Sequence, residues 1–279
     1  MDSLQKIALL IDADNTQLGK LEGVIREIST HGRIVVKRAY GNWKKDILKN
    51  WEKEIKRLAI NANQQFDYVT GKNATDMALV IDAMDMLYKD IYDAFVIVAS
   101  DSDYTPLAIR IHESGVYVIG VGEKKTPVAF RNACDEFIFL ENIDSGKRGV
   151  KKGGFSLFRR SSDSPEQTKT EEDTAAASDT GAETISDLPD EDIESTVVYD
   201  IETVHNLLKY AYDTYQDEEG YCNVASAGTY IKRAMPEFDS RTYGFSKLPE
   251  LIESFPDRYE MTRYKGKGTV TIVAYRCLD

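Results

Sequence analysis

The sequence predicts an α/β domain built on a parallel sheet, a disordered linker, and a small winged-helix domain of α+β character. Three observations carry this. Short apolar runs alternate with helix-period segments over residues 1–145. A linker then interrupts the pattern across residues 146–195, basic at first and rich in Ser, Thr, Ala, Asp and Glu from Asp163 to Glu194. Beyond it, over residues 196–279, three helical segments precede two alternating strands.

The first domain reads element by element. Ile7 to Ile11 is a continuous apolar run ending at Asp12, the pattern of a buried parallel strand. Leu18, Leu21, Val24, Ile25 and Ile28 recur at helical spacing. Arg33 to Tyr40 is the next strand, and Ile47, Leu48, Trp51, Ile55 and Leu58 mark one helix face. Phe66 to Val69 is expected to be a short strand. Thr75 to Leu87 follows as a helix with Met77, Val80, Ile81, Met84 and Leu87 inward. Ala94 to Ala99 and Val116 to Val121 are apolar strands flanking a helix over Tyr104 to Ser114. Pro127 to Ala133 is a short helix, and Phe137 to Phe139 an edge strand. The βαβα rhythm implies a parallel sheet with helices on both faces, and such sheets bind ligands beyond the carboxyl ends of their strands.

In the last domain, Ile201 to Tyr215 and Val224 to Met235 are helices, the second stopped near Pro236. Leu248, Leu251 and Ile252 mark a third. Tyr259 to Tyr264 and Thr269 to Tyr275 alternate as strands around Lys265-Gly266-Lys267-Gly268. Three helices and a hairpin form a winged-helix plan, which commonly places one helix in a nucleic-acid groove.

Charge separates these parts. The chain of 279 residues carries a formal −12, which on its face opposes nucleic-acid binding. Residues 163–194 hold twelve acids against Lys169, a net of −11. That segment cannot bury enough surface to offset its ordering entropy, hence the expectation of a disordered linker. Residues 146–162 carry six bases and no acid, so the linker is basic, then acidic. No apolar run approaches the length of a membrane span, and the N-terminus shows no signal peptide. Three distant cysteines, Cys134, Cys222 and Cys277, give no disulfide or zinc pattern, and a cytoplasmic location is the expectation.

Four carboxylates fall at the carboxyl edge of the predicted sheet. Asp12 ends the first strand, Asp101 and Asp103 follow the fourth, and Asp76 opens the helix after the third. Asp and Asn after a strand are also good caps. Three strand ends all bearing Asp go beyond capping. Acids crowded together repel one another, and a divalent cation with oxygen ligands, Mg²⁺ or Mn²⁺, is the usual compensation. Such a site can activate water and orient a phosphodiester.

These residues carry a resemblance. Asp12-Ala13-Asp14-Asn15 after an apolar strand, Lys72 with Thr75-Asp76 at a helix start, Ala99-Ser100-Asp101-Ser102-Asp103-Tyr104 with Pro106-Leu107, and Gly115 to Val121 together resemble the NYN domain, the LabA-like branch of the PIN-like ribonucleases. The resemblance covers about residues 4–143. It implies a metal-dependent endoribonuclease with Asp12, Asp76, Asp101 and Asp103 as catalytic metal ligands. Asn15, Thr75, Ser100 and Ser102 would support them, and Lys72 would face the phosphate. The products would be a 3′-hydroxyl and a 5′-phosphate. Asp12-Ala13-Asp14-Asn15-Thr16 also resembles the opening motif of haloacid-dehalogenase-type phosphatases, with Asp12 as nucleophile, Asp14 as general acid and Ser100 as the later hydroxyl. That reading needs a downstream acidic pair, for which Cys134-Asp135-Glu136 is the nearest candidate.

Basic side chains suggest the substrate. Residues 37–57 have a net charge of +5. Lys45, Lys49, Lys53 and Lys56 are spaced as a stripe on one helix face, either solvated or a track for an RNA backbone leading to the acids. Arg38 lies beside it, and Tyr40 and Trp43 could pack internally or stack bases.

In the last domain, Tyr230-Ile-Lys-Arg, Pro236-Glu-Phe-Asp239 and Tyr243-Gly-Phe-Ser-Lys-Leu-Pro-Glu-Leu-Ile252, followed by a hairpin, resemble the LOTUS or OST-HTH domain. This implies binding of RNA or of a protein partner. Arg241, Lys247, Lys265 and Lys267 are candidate phosphate contacts or a solvated wing. The combined expectation is an RNA-cutting enzyme acting on single-stranded RNA. A non-catalytic RNA-binding adaptor is the alternative.

Overall fold

A computed structural model describes residues 4–67, 73–143, 200–265 and 271–278. The predicted linker, Lys72 and Lys267 lie outside these residues.

The first domain is a six-stranded parallel sheet in the order β3-β2-β1-β4-β5-β6. The strands are β1 (Leu4–Asp12), β2 (Gly32–Gly41), β3 (Asn61–Gln64), β4 (Ala94–Val98), β5 (Tyr117–Gly122) and β6 (Glu136–Phe139). Between them run α1 (Leu21–Ile28), α2 (Trp51–Leu58), α3 (Ala74–Leu87), α4 (Thr105–Glu113) and α5 (Val128–Asn132). The alternating pleat of β1 explains the two cores. Ile7, Leu9 and Ile11 face Leu21, Val24 and Ile28 of α1 and Trp51 of α2. Ala8 and Leu10 face Leu79, Ala83 and Met86 of α3 and Leu107, Ala108 and Ile111 of α4. The stretch of a strand buried on both faces must be apolar, as Ile7 to Ile11 of β1 is. Strand order reverses between β1 and β4, so the crevice favoured for ligands opens where Asp12 and Asp101 stand.

Three elements depart from the sequence reading. The third strand is the polar Asn61–Gln64; of the expected strand Phe66 to Val69, Phe66 and Asp67 belong to no strand, Phe66 is exposed, and residues 68–69 lie outside the described residues. An edge strand has one neighbour and is specified by backbone pairing with β2, here from Arg38–Asn61 to Gly41–Gln64, so it needs no apolar run. Helix α3 turns Thr75, Leu79, Ala83 and Met86 inward, packs the expected Val80, Met84 and Leu87 partly buried beside them, and leaves Met77 and Ile81 exposed. The segment is apolar nearly all round, so periodicity could not choose its face. Finally, α2 begins only at Trp51, after a separate 3-10 turn over Asp46–Leu48.

The last domain has α6 (Ile201–Tyr215), α7 (Val224–Ala234) and α8 (Leu248–Glu253). Its antiparallel sheet has β7 (Cys222–Asn223), β8 (Tyr259–Lys265) and β9 (Thr271–Cys277), in the order β7-β9-β8. Val204, Leu208 and Ala211 form the inward stripe of α6, packing on Ile231, Leu251, Ile252 and Tyr275. The Asn223 side chain accepts from the Ala225 N–H at 2.8 Å and caps α7. The α/β-then-α+β plan of the sequence is the plan of the molecule.

Candidate active site

The site grows from the turn after β1. Asp12 is fully buried. Its Oδ1 accepts from the Asp14 N–H at 3.0 Å, and its Oδ2 from Asn15 Nδ2 at 2.8 Å. The Thr16 hydroxyl donates to the Val98 carbonyl, tying this turn to the end of β4. After β4, Asp101 caps a short 3-10 turn over Ser102–Tyr104, its Oδ1 accepting from the Asp103 N–H at 3.0 Å. Asn73, just before α3, donates to Asp103. Asp76, in the first turn of α3, accepts from the Tyr104 hydroxyl at 2.6 Å. Ser100 Oγ accepts from the Glu123 N–H beyond β5, and Thr75 donates to Asp14 at 3.0 Å. Beside Gly122, a Cβ would stand 2.6 Å from both the Ala99 carbonyl and Thr126 Oγ1, so only glycine lets β5 close on this edge.

Electrostatics show that these acids share one volume. Burial pushes the Asp12 carboxyl up to about 6, with Asp76 and Asp14 adding repulsion and Asn15 opposing it. Burial also raises Asp76, aided by Asp101, Asp103 and Asp14, while the Tyr104 hydroxyl lowers it. Tyr104 is itself fully buried, with its phenol pushed far up by burial and by Asp12 and Asp76. Asp12, Asp76, Asp101 and Asp103 are thus brought together, joined by Asp14. The donor chemistry fits a hard divalent cation: oxygen ligands only, with mutual repulsion to relieve. Among the described residues, however, no three His, Cys, Asp or Glu side chains are grouped so that they could hold an ion. Asn15, Tyr104 and Asn73 hold three of the carboxylates instead.

Tyr104, Asn73 and the site role of Lys45 escape sequence reasoning. Tyr104 directly follows the acidic pair, and that adjacency was the available signal. Lys45 lies off α2, with Nζ 3.3 Å from Asp14 and 3.4 Å from Asp67. The four-lysine stripe is therefore split, because α2 starts after Lys45 and Lys49. Lys49, just before α2, and Lys53, on it, remain exposed, whereas Lys56 pairs with Glu52. Arg38 is engaged by Asp82 at 2.5 Å, an acid that also accepts from the Tyr40 hydroxyl. Trp43 packs on Trp51 with ring centroids 6.0 Å apart. In the last domain, Lys247 and Lys265 are exposed, while Arg241 binds Asp239 and Glu27. The acidic pair that a phosphatase would need lies at the far edge. Asp135 accepts from the Val118 N–H, and Glu136 opens β6 beside His31 and Lys232.

Family models match in the order the motifs stand. The NYN domain model matches residues 6–141, and the OST-HTH/LOTUS domain model matches residues 201–271. The chain carries a NYN domain followed by a LOTUS domain. The NYN domain is of the PIN-like nuclease superfamily, and the pairing supports an RNA-related nuclease or binding role. Among solved structures, a Vibrio parahaemolyticus protein of unknown function is 17% identical, covering 49% of this chain and 93% of its own, with a TM-score of 0.41. An uncharacterized Nitrosomonas europaea protein is 22% identical over 34% of this chain and 91% of its own, with a TM-score of 0.26. Acinetobacter baumannii MurG is 10% identical over 48% of this chain and 40% of its own, with a TM-score of 0.34. No curated protein matches the sequence. Among the described residues, no helix is long and apolar enough to cross a membrane.

Proposed function

We propose that the chain is a divalent-metal-dependent endoribonuclease that cuts single-stranded RNA, its LOTUS domain contacting RNA or a protein partner. The observation that carries this is the meeting of acids from separate strand ends, with Asp12 raised to about 6 inside a NYN domain. Asp12, Asp76, Asp101 and Asp103 would hold Mg²⁺ or Mn²⁺. Once bound, the ion would supply a water nucleophile near neutral pH and offset charge on the scissile phosphate.

The chain's own side chains do the rest. Asn15 and the Asp14 N–H fix Asp12 from two sides. Tyr104 fixes Asp76 from the protein interior. Thr75 and Lys45 hold Asp14, and the Lys45 ammonium would meet a phosphate oxygen at the rim of the cluster. Lys72, outside the described residues, would face the phosphate as the family resemblance implies. Ser100 and Ser102 would support the shell around Asp101. Lys49 and Lys53 offer the phosphate track outside it.

The test is cleavage of a single-stranded RNA in Mn²⁺ by the wild type and by Asp101→Asn, with circular dichroism confirming the fold of both. Cleavage by the wild type alone is expected. Tight RNA binding by both without cleavage would favour the adaptor.

A further inference from the structure

The NYN and LOTUS domains fall within one compact unit. The contacts between them run along β6, the open edge of the parallel sheet. The Phe137 N–H donates to the Pro236 carbonyl at 2.9 Å, so the loop after α7 takes a backbone group that an edge strand would otherwise show to solvent. Glu136 receives His31 at 3.1 Å from its own domain and Lys232 of α7 at 2.5 Å from the other. Arg131 stands 3.6 Å from Glu237, and both side chains are at least 96% buried. Arg241 reaches Glu27 of α1 at 2.9 Å, and Asn142 donates to Thr242 at 2.8 Å.

We infer that β6 is a docking surface whose occupant is this chain's own LOTUS domain, which acts as a fixed part of the nuclease body and not as a tethered reader. The occupant is argued from complementarity. A buried Arg131 needs an anion, and Glu237 supplies it. A buried Glu136 needs a second cation, and Lys232 supplies it. The Phe137 N–H, which the edge of the sheet leaves without a strand partner, finds the Pro236 carbonyl. An intramolecular contact of this polar kind needs little affinity, because the connecting chain keeps the local concentration of the second domain high.

Docking reassigns surfaces. Lys232 and Arg241 are committed to the NYN domain, so the basic groups left for a ligand in the described part of the LOTUS domain include Lys247 at the start of α8 and Lys265 at the hairpin. None of the docking contacts uses Asp12, Asp76, Asp101 or Asp103, so the acid edge stays open.

Amide exchange of the intact chain tests this, because protection of the Phe137 N–H comes from Pro236 across the interface. In the wild type that amide is expected to exchange at least tenfold more slowly than a free edge amide. Lys232→Glu with Arg241→Glu should abolish the protection while amides of β1 and α6 keep theirs, which shows that both domains remain folded. Free-amide exchange of Phe137 in the wild type would overturn the inference. Protection that disappears on dilution would also overturn it, by assigning the contact to a second copy.

Discussion

Asp12 works against the fold that holds it. Its carboxyl rises from 3.8 to about 6, so the folded state binds a proton more tightly than the unfolded chain between those values. Stability contributed by this residue therefore falls as pH rises from 4 through 6, and the penalty is complete above that. Asp12→Asn should raise the urea midpoint at pH 8, by an amount equivalent to about 1–3 kcal/mol, and change it little at pH 4. The same variant should lose RNA cleavage. Tyr104 shows what sequence pattern leaves unread at this scale. Asp12, Asp101 and Asp103 were legible because they follow apolar strands, and Asp76 because it stands at a helix start. The hydroxyl that joins two of them was not, because an aromatic after Asp103 reads equally well as core, and Tyr104 is core as well.

At the scale of elements, one acid adds a polar fastening of α3 to the sheet beside the packing of Leu79, Ala83 and Met86. Asp82 binds Arg38 and the Tyr40 hydroxyl, both on β2, and sits 3.5 Å from Asn63 on β3. Asp82→Ala would leave the buried Tyr40 hydroxyl and the half-buried Arg38 without that partner. It should destabilise the chain by about 2–4 kcal/mol in chemical denaturation. Since α3 also carries Asp76, metal affinity should weaken with it. The strands of the sheet were readable from apolar runs, except β3, whose pairing is a property of β2. The lysine stripe failed because helical spacing was assumed across Asp46–Leu48, where the chain makes a 3-10 turn. The corrected geometry separates two roles. Lys49→Glu with Lys53→Glu should weaken RNA binding and flatten its salt dependence by about two ions in a fluorescence titration. Lys45→Met should act mainly on turnover.

Over the whole molecule, the charge of −12 misleads until it is divided: residues 163–194 contribute −11 of it, and the two domains carry acids and bases in separate places. One of those places is the domain junction. Burial would raise Glu136, but His31 and Lys232 outweigh it and bring its carboxyl down to about 2. Glu136 raises His31 in turn, against the burial of the ring. The Glu136 contribution is complete above about 4.5 and fades as pH falls toward 2. The His31 contribution is complete below 6.5 and fades as pH rises through its raised value. Wild-type stability should therefore decline from pH 6 to pH 9, and His31→Gln should flatten that decline in thermal melts. The order of the two domains was readable because each has its own motif and periodicity. Their docking was not, because Glu136, Lys232 and Glu237 look like ordinary surface charges until the fold brings them together.

In the proposed function, acids gathered at the carboxyl edge of the NYN sheet cut RNA. The most direct measurement is cleavage of a labelled single-stranded RNA by the intact chain in Mn²⁺, with Asp101→Asn alongside. Internal cuts by the wild type, abolished by chelator and by the substitution, are expected. Equal cleavage by both proteins, or none by a folded wild type that binds the same RNA tightly, would contradict it.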